Sequence, residues 1–197
     1  MTTLVRDAVY AAAGLKRLVL FQENWQSCFD VSYEGVVRSF RAAVIAAPIY
    51  ILASLGLRYM AAELGAPRGS DPVIFQLLDY MRVWLVFPFV AAFAAIFFAR
   101  RQQFGTWLVV HNWTVLGLFC VQAVVITVYL SGILPLGAAI AFLVGPYHIL
   151  RLGVHWRVAT ATLNLSWGAG AAAATLHIVV DLLAITALSY ALRAASS

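Results

Sequence analysis

Long uncharged, apolar stretches alternate along this chain with short intervals that hold nearly all of its charges, and the lengths of those stretches predict its architecture. A helix rises about 1.5 Å per residue and a bilayer's hydrocarbon core is about 30 Å thick, so a crossing takes about 20 largely apolar residues. Sixteen uncharged residues lie between Arg41 and Arg58, and both arginines can extend outward, which predicts a first span over about 38–60. Seventeen lie between Arg82 and Arg100, predicting a second span over about 80–100. The forty-nine residues from Gln102 to Leu150 carry no Asp, Glu, Lys or Arg. That is about 74 Å of helix, too long for one crossing and right for two. The break belongs at Ser131-Gly132, with Pro135 early in the following helix, giving spans over about 106–130 and 133–151. From Val158 to Leu192 the only charge is Asp181, and Gly168 and Gly170 mark where an interfacial stretch gives way to a fifth span over about 171–192.

Composition agrees with this reading. Of 197 residues, 63% are hydrophobic and 11% charged, with a mean hydropathy of +0.90, which leaves too little polar surface to coat a soluble globule. The expected fold class is an all-α polytopic integral membrane helical bundle. Residues 1–35 form an amphipathic N-terminal segment and residues 36–197 the transmembrane domain. The net charge of +5 comes from thirteen Lys and Arg scattered at segment ends, so they read as topology determinants and nucleic acid is excluded as a partner. With the N-terminus inside, nine of them (Arg6, Lys16, Arg17, Arg38, Arg41, Arg100, Arg101, Arg151, Arg157) fall on the cytoplasmic side. The other four (Arg58, Arg68, Arg82, Arg193) fall outside, which predicts a cytoplasmic N-terminus and a periplasmic or extracytoplasmic C-terminus in a cell inner (plasma) membrane. Cys28 and Cys120 share no motif spacing and imply neither a disulfide nor a metal site.

Outside the spans, Leu4, Ala8, Ala11, Leu15 and Leu18 recur at helical intervals over residues 4–22. The segment is expected to be retained rather than cleaved as a leader, and to lie on the cytoplasmic leaflet with Lys16 and Arg17 near anionic headgroups; packing on the protein's own loops is the alternative. Asp30 or Ser32 is placed to cap the helix entering span one, Glu34 stands one turn from Arg38, and Asp71-Pro72 reads as a cap that starts the second helix ahead of the Asp79/Arg82 pair. Small-residue pairs Ala42/Ala46, Ala43/Ala47, Ala91/Ala95 and the series Gly137/Ala141/Gly145 mark helix contacts within the chain or in a homo-oligomer. Pro48, Pro88 and Pro146 are candidate kinks, and Trp84, Trp107, Trp156 and Trp167 are expected at the membrane interface.

Polar side chains at membrane depth carry whatever chemistry the chain performs: His111, Asn112, Gln122, His148, His177 and Asp181. Asp181 and His177 lie one turn apart on one helix face, which makes a hydrogen-bonded pair available as a titratable relay or solute contact, with His111 and Asn112 as further members of a pathway. The competing reading has Asp181 protonated, or bonded to His177 or to a neighbouring helix, where it fixes how the fifth span packs. Bis-histidine haem ligation by His111 and His177 stands third. His148 and His155 read as interfacial, beside Arg151, Trp156 and Arg157. No residue set predicts a metal, a cofactor or an enzyme's catalytic apparatus: there is no phosphate loop, nucleophile elbow or HExxH.

The five-span layout with its near-loopless hairpin, together with the stretches FDVSYEGVVRSFRAA (29–43) and HWRVATATLNLS (155–166), resembles the Yip-domain family and small bacterial inner-membrane proteins. Gly145-Pro146-Tyr147 echoes part of the Asp-Leu-Tyr-Gly-Pro run of the family's eukaryotic members. The resemblance implies architecture and carries no trafficking role. The leading expectation is a non-enzymatic scaffold or accessory subunit, with the bilayer and a membrane-protein partner as what it contacts. The alternative is a small transporter or channel component using Asp181 and His177.

Overall fold

The computed structural model describes residues 3–65 and 73–196, and all regular secondary structure among them is helix. Five helical stretches are long and apolar enough to cross a membrane: 33–63, 73–97, 101–130, 136–162 and 167–192. Eight α-helices build the described chain: α1 (Thr3–Val19), α2 (Tyr33–Ser39), α3 (Arg41–Glu63), α4 (Val73–Phe97), α5 (Phe104–Leu130), α6 (Leu136–Val144), α7 (Pro146–Thr162) and α8 (Trp167–Ser196). The expected cap at Asp71-Pro72 lies outside the described residues.

The core is organised around α5. An unbroken run from Trp107 to Leu116 is buried on every side, as a helix apolar all round must be when it sits among other helices. α3 and α7 pack against it, α8 packs against both α7 and α4, and α6 closes one end. Close approach is set by small residues, as expected: Ala42 and Ala46 of α3 and Ala91 and Ala95 of α4 are buried. The series Gly137/Ala141 behaves differently and faces outward, because α6 turns Ala139 and Leu143 inward instead. Large apolar side chains such as Val44, Ile51, Phe89, Phe93, Val124, Val144 and Leu183 cover the outside of the bundle, an inverted arrangement that lipid satisfies.

The predicted break between the third and fourth spans is observed. α5 ends at Leu130, Gly132 takes φ +78°, a conformation open to glycine without a Cβ penalty, and Pro135 caps α6 with its extended backbone. The fourth span differs from its predicted end. Pro146 occupies the first turn of α7 after a sharp backbone change at Gly145, and α7 then runs on to Thr162, eleven residues past the expected limit of 151. What was read as an interfacial stretch is therefore helix, and the turn into α8 falls earlier, around Asn164 at φ +49°.

The helix predicted at 4–22 is α1, and its apolar edge is spent on the protein: Ala11 and Leu18 are buried against α5 and α7, and Arg157 Nε donates to the Leu18 carbonyl at 2.9 Å. Lys16 and Arg17 point outward. Ser32 caps α2, its hydroxyl accepting from Gly35 N at 3.1 Å. Asp30 rather than Glu34 is the ion-pair partner of Arg38. The bonds from Ser32 hold the Asp30 carboxyl below its usual range, with Arg38 adding to the effect.

Candidate functional site

α4, α5, α7 and α8 each turn polar side chains into the bundle, and these line one cavity of about 260 Å³. Their positions follow from helix periodicity. On α7, Tyr147, Arg151 and His155 stand four apart and share the face that continues to buried Val158 and Ala159. On α8, His177 and Asp181 share the face of buried Ala173 and Ala174. On α4, Asp79, Arg82 and Val83 precede Trp84 and Phe87.

The charged part of the site is a chain of pairs that ties four helices together. Tyr50 of α3 donates to Asp79 Oδ2 at 2.8 Å. Arg82 donates through Nε to Asp79 Oδ1 at 2.9 Å, as the local spacing predicted, and its other end grips Asp181 Oδ1 and the Asp181 carbonyl. Arg151 Nη2 donates to Asp181 Oδ2 at 2.8 Å. Asp181 is thus held on both oxygens by arginines from different helices, and two aspartates balance two arginines. In a low-dielectric interior an unmatched charge here would cost several kcal/mol, which accounts for the neutral total.

This geometry corrects three expectations. Asp181 bonds to arginines rather than to His177. Arg151, expected at the interface with Lys16, Arg17, Arg100, Arg101 and Arg157, sits in the interior network, and so does Arg82. His155, also expected at the interface, is only 4% exposed and stands beside His111 (1%) and His177 (6%). A metal-ligand set, not expected from the spacing of the histidines along the chain, is present here. The imidazoles of His111, His155 and His177, from α5, α7 and α8, bring one nitrogen each to within 4.8 Å of one another. Their ring centroids are 4.9–5.2 Å apart, and Phe87 stacks on the His111 face at 3.2 Å. Both nitrogens of His111 and Nδ1 of His177 are buried without a hydrogen-bond partner, a cost of about 1–3 kcal/mol per group.

The remaining expected site residues divide between this cavity and contacts elsewhere. Asn112 points away and donates through Nδ2 to Ser39 Oγ at 2.8 Å, a buried bond between α5 and α2. Gln122 and His148 line the cavity. Arg100 caps the Leu163 carbonyl at 3.1 Å, and Arg157 lies over the Phe21 ring at 4.3 Å. Trp84 and Trp107 are core residues, 5% and 2% exposed, rather than interface anchors; Trp156 instead donates to the Trp167 carbonyl near the turn into α8. Comparison with protein-family models, curated proteins and solved structures finds no match.

Proposed function

We propose that this protein is a small membrane transporter or channel component that admits a small anionic solute to the cavity between α3, α4, α5, α7 and α8. The observation that carries the reading is Asp181 clamped between Arg82 and Arg151 at the cavity wall. Asp181 occupies these arginines as an internal stand-in for an anion. A carboxylate- or phosphate-like solute competes for the same guanidinium donors, which suit planar, bidentate acceptors. The cluster of Asp79, Asp181, Arg82 and Arg151 is neutral, so an entering negative charge is accommodated at least cost when a proton enters with it. Anion entry and proton entry are then coupled. The purely structural role expected of a scaffold requires no cavity at the pair.

The chain sits in a cell inner membrane with its N-terminus cytoplasmic. Withdrawing Arg82 and Arg151 from the basic-residue tally leaves eight against three, the same excess of five that supports this orientation in the full set.

The test is flux in proteoliposomes loaded with a pH-sensitive dye and given inward gradients of chloride, nitrate, phosphate or succinate. At least one anion is expected to acidify the lumen with wild-type protein, and Asp181→Asn is expected to abolish that acidification at equal protein content per vesicle. No acidification by wild-type protein with any of the four overturns this reading and returns the pair to a packing role and the protein to the scaffold reading.

A further inference from the structure

The three-histidine cluster is a second constellation on the same cavity, and it stands apart from the transport reading. We infer that His111, His155 and His177 form a binding site for a divalent transition-metal ion of the zinc class.

Donor chemistry sets the class of ion. The three groups are imidazoles, borderline-soft nitrogen donors that suit zinc, cobalt, nickel and copper; magnesium and calcium require oxygen ligands. Asp181, the nearest carboxylate on the same helix, already has both oxygens engaged by Arg82 and Arg151, so the ligand set is nitrogen only.

Geometry sets the coordination. A tetrahedral zinc ion at about 2.0–2.1 Å from each nitrogen spaces its ligands about 3.3 Å apart. The three nitrogens lie within 4.8 Å of one another and the His111 and His155 rings stack at an interplanar angle of 27°, so the imidazoles turn about their side-chain torsions to converge on an ion. The ligands come from three different helices, α5, α7 and α8, which fixes them by packing rather than by a flexible loop. Phe87 covers the ring face of His111 and leaves the in-plane nitrogens clear, as metal ligation requires. His111, His155 and His177 all line the cavity, so the fourth coordination position faces it and holds an exchangeable water or anion.

Burial supplies the independent argument. Both nitrogens of His111 and Nδ1 of His177 are buried and unpartnered. Imidazoles retained only for packing would be replaced by apolar rings at lower cost, whereas an ion gives these nitrogens the partner that the protein does not. The packing of Phe87 on His111 also argues for an ion over a haem, since a macrocycle between His111 and His177 would have to displace that ring.

The experiment uses full-length protein in detergent, with any purification tag removed and metals stripped by chelation, titrated with cobalt(II) and then zinc(II). One cobalt per chain, with the intense visible bands of a four-coordinate ion that zinc displaces, is the expected result. X-ray absorption on the wild-type zinc form should show imidazole scattering from three ligands at about 2.0–2.1 Å, a readout that does not depend on any variant folding. His155→Gln and His177→Gln are expected to weaken binding by about 100-fold or more, beyond the 10–100-fold that loss of an outer-sphere partner causes. His148→Gln, on the cavity but outside the trio, should bind as wild type does. Binding well below one ion per chain, the pale spectrum of a six-coordinate ion, or an equal loss in His148→Gln would overturn the assignment. Metal binding intact in a protein without anion flux removes the transport reading alone; flux without metal binding removes this one alone.

Discussion

Replacing Asp181 by Asn takes one negative charge out of a cluster that otherwise sums to zero, and the structure assigns the resulting damage to a particular partner. Arg82 retains Asp79, with which it makes a 2.9 Å bond through Nε. Arg151 loses the carboxylate at 2.8 Å that is its ion-pair partner among the described residues. Removing one member of a buried pair costs about 3–5 kcal/mol when the survivor is fully desolvated. The Arg151 side chain is 23% exposed, so water in the cavity relieves part of that, and about 3 kcal/mol is the expected loss. For a chain of this size each kcal/mol moves the midpoint by about 2–4 °C, so Asp181→Asn should unfold roughly 6–12 °C below wild type.

The decisive comparison is a double-mutant cycle. Arg151→Met alone leaves Asp181 sharing Arg82 with Asp79 and a net negative charge in the cluster, a loss of about 2 kcal/mol. Asp181→Asn with Arg151→Met restores neutrality, because the Arg82–Asp79 pair balances itself. The double variant should therefore be more stable than the sum of the singles by about 1.5–3 kcal/mol, read from thermal aggregation in a fixed detergent and repeated in lipid nanodiscs. Additivity within about 0.5 kcal/mol would refute the reasoning, since it would mean that Asp181 and Arg151 do not share an energetically coupled bond.

Other consequences follow from single contacts. A Cβ added at Gly170 would run into Thr160, so Gly170→Ala should destabilise the α7–α8 contact by about 1–3 kcal/mol; Thr160→Ala in the same chain should recover the part due to the hydroxyl and leave the part due to the Thr160 Cβ and Cα, and no recovery would locate the strain elsewhere. Leu18 is fully buried at the foot of α1, so Leu18→Ala should cost about 2–5 kcal/mol and expose the α1 backbone to hydrogen exchange before the spans, whereas a helix held by lipid alone would barely respond. Because Ser32 and then Arg38 depress the Asp30 carboxyl below 3.8, its contribution is present above that value and is lost as pH falls through the lower folded one. Protease cleavage in the linker before α2 should accordingly rise only under strong acid, and Asp30→Asn should remove that dependence. With Cys28 and Cys120 changed to Ser, a cysteine at Ser131 should react with an impermeant maleimide added to intact cells; protection there with reaction at a cysteine in place of Gln103 would reverse the proposed orientation.

What could be read from the chain and what could not divides by the range of the interaction. The number of spans was legible because membrane thickness imposes a length on each apolar run, and the Ser131-Gly132 hairpin because a positive φ needs a residue that tolerates it. The Asp79–Arg82 pair was legible because its partners are three residues apart. Arg151 and His155 were misplaced by the same ruler that counted the spans. A charge marks the end of a span when its side chain escapes to water and does not when its partner sits on another helix. Asp181 is thirty residues from Arg151 and ninety-nine from Arg82, separations at which no spacing rule operates.

Depth along the membrane was therefore read and direction around each helix was not, although α7 does carry a signal for the latter. Tyr147, Arg151 and His155 recur every fourth residue, while Ile149, Leu150 and Leu152 between them are exposed in the bundle. Within an apolar span, a face that collects the phenol, guanidinium and imidazole while the neighbouring positions stay aliphatic is the inverse of a soluble amphipathic helix. In lipid that face has one place to go, which is inward against other polar faces. Applied to α8 the same reasoning selects His177 and Asp181, and applied to α4 it selects Asp79 and Arg82. Matching three such faces around α5, which contributes His111, assembles most of the observed site, and the cluster follows from helix azimuth where span length alone could not supply it.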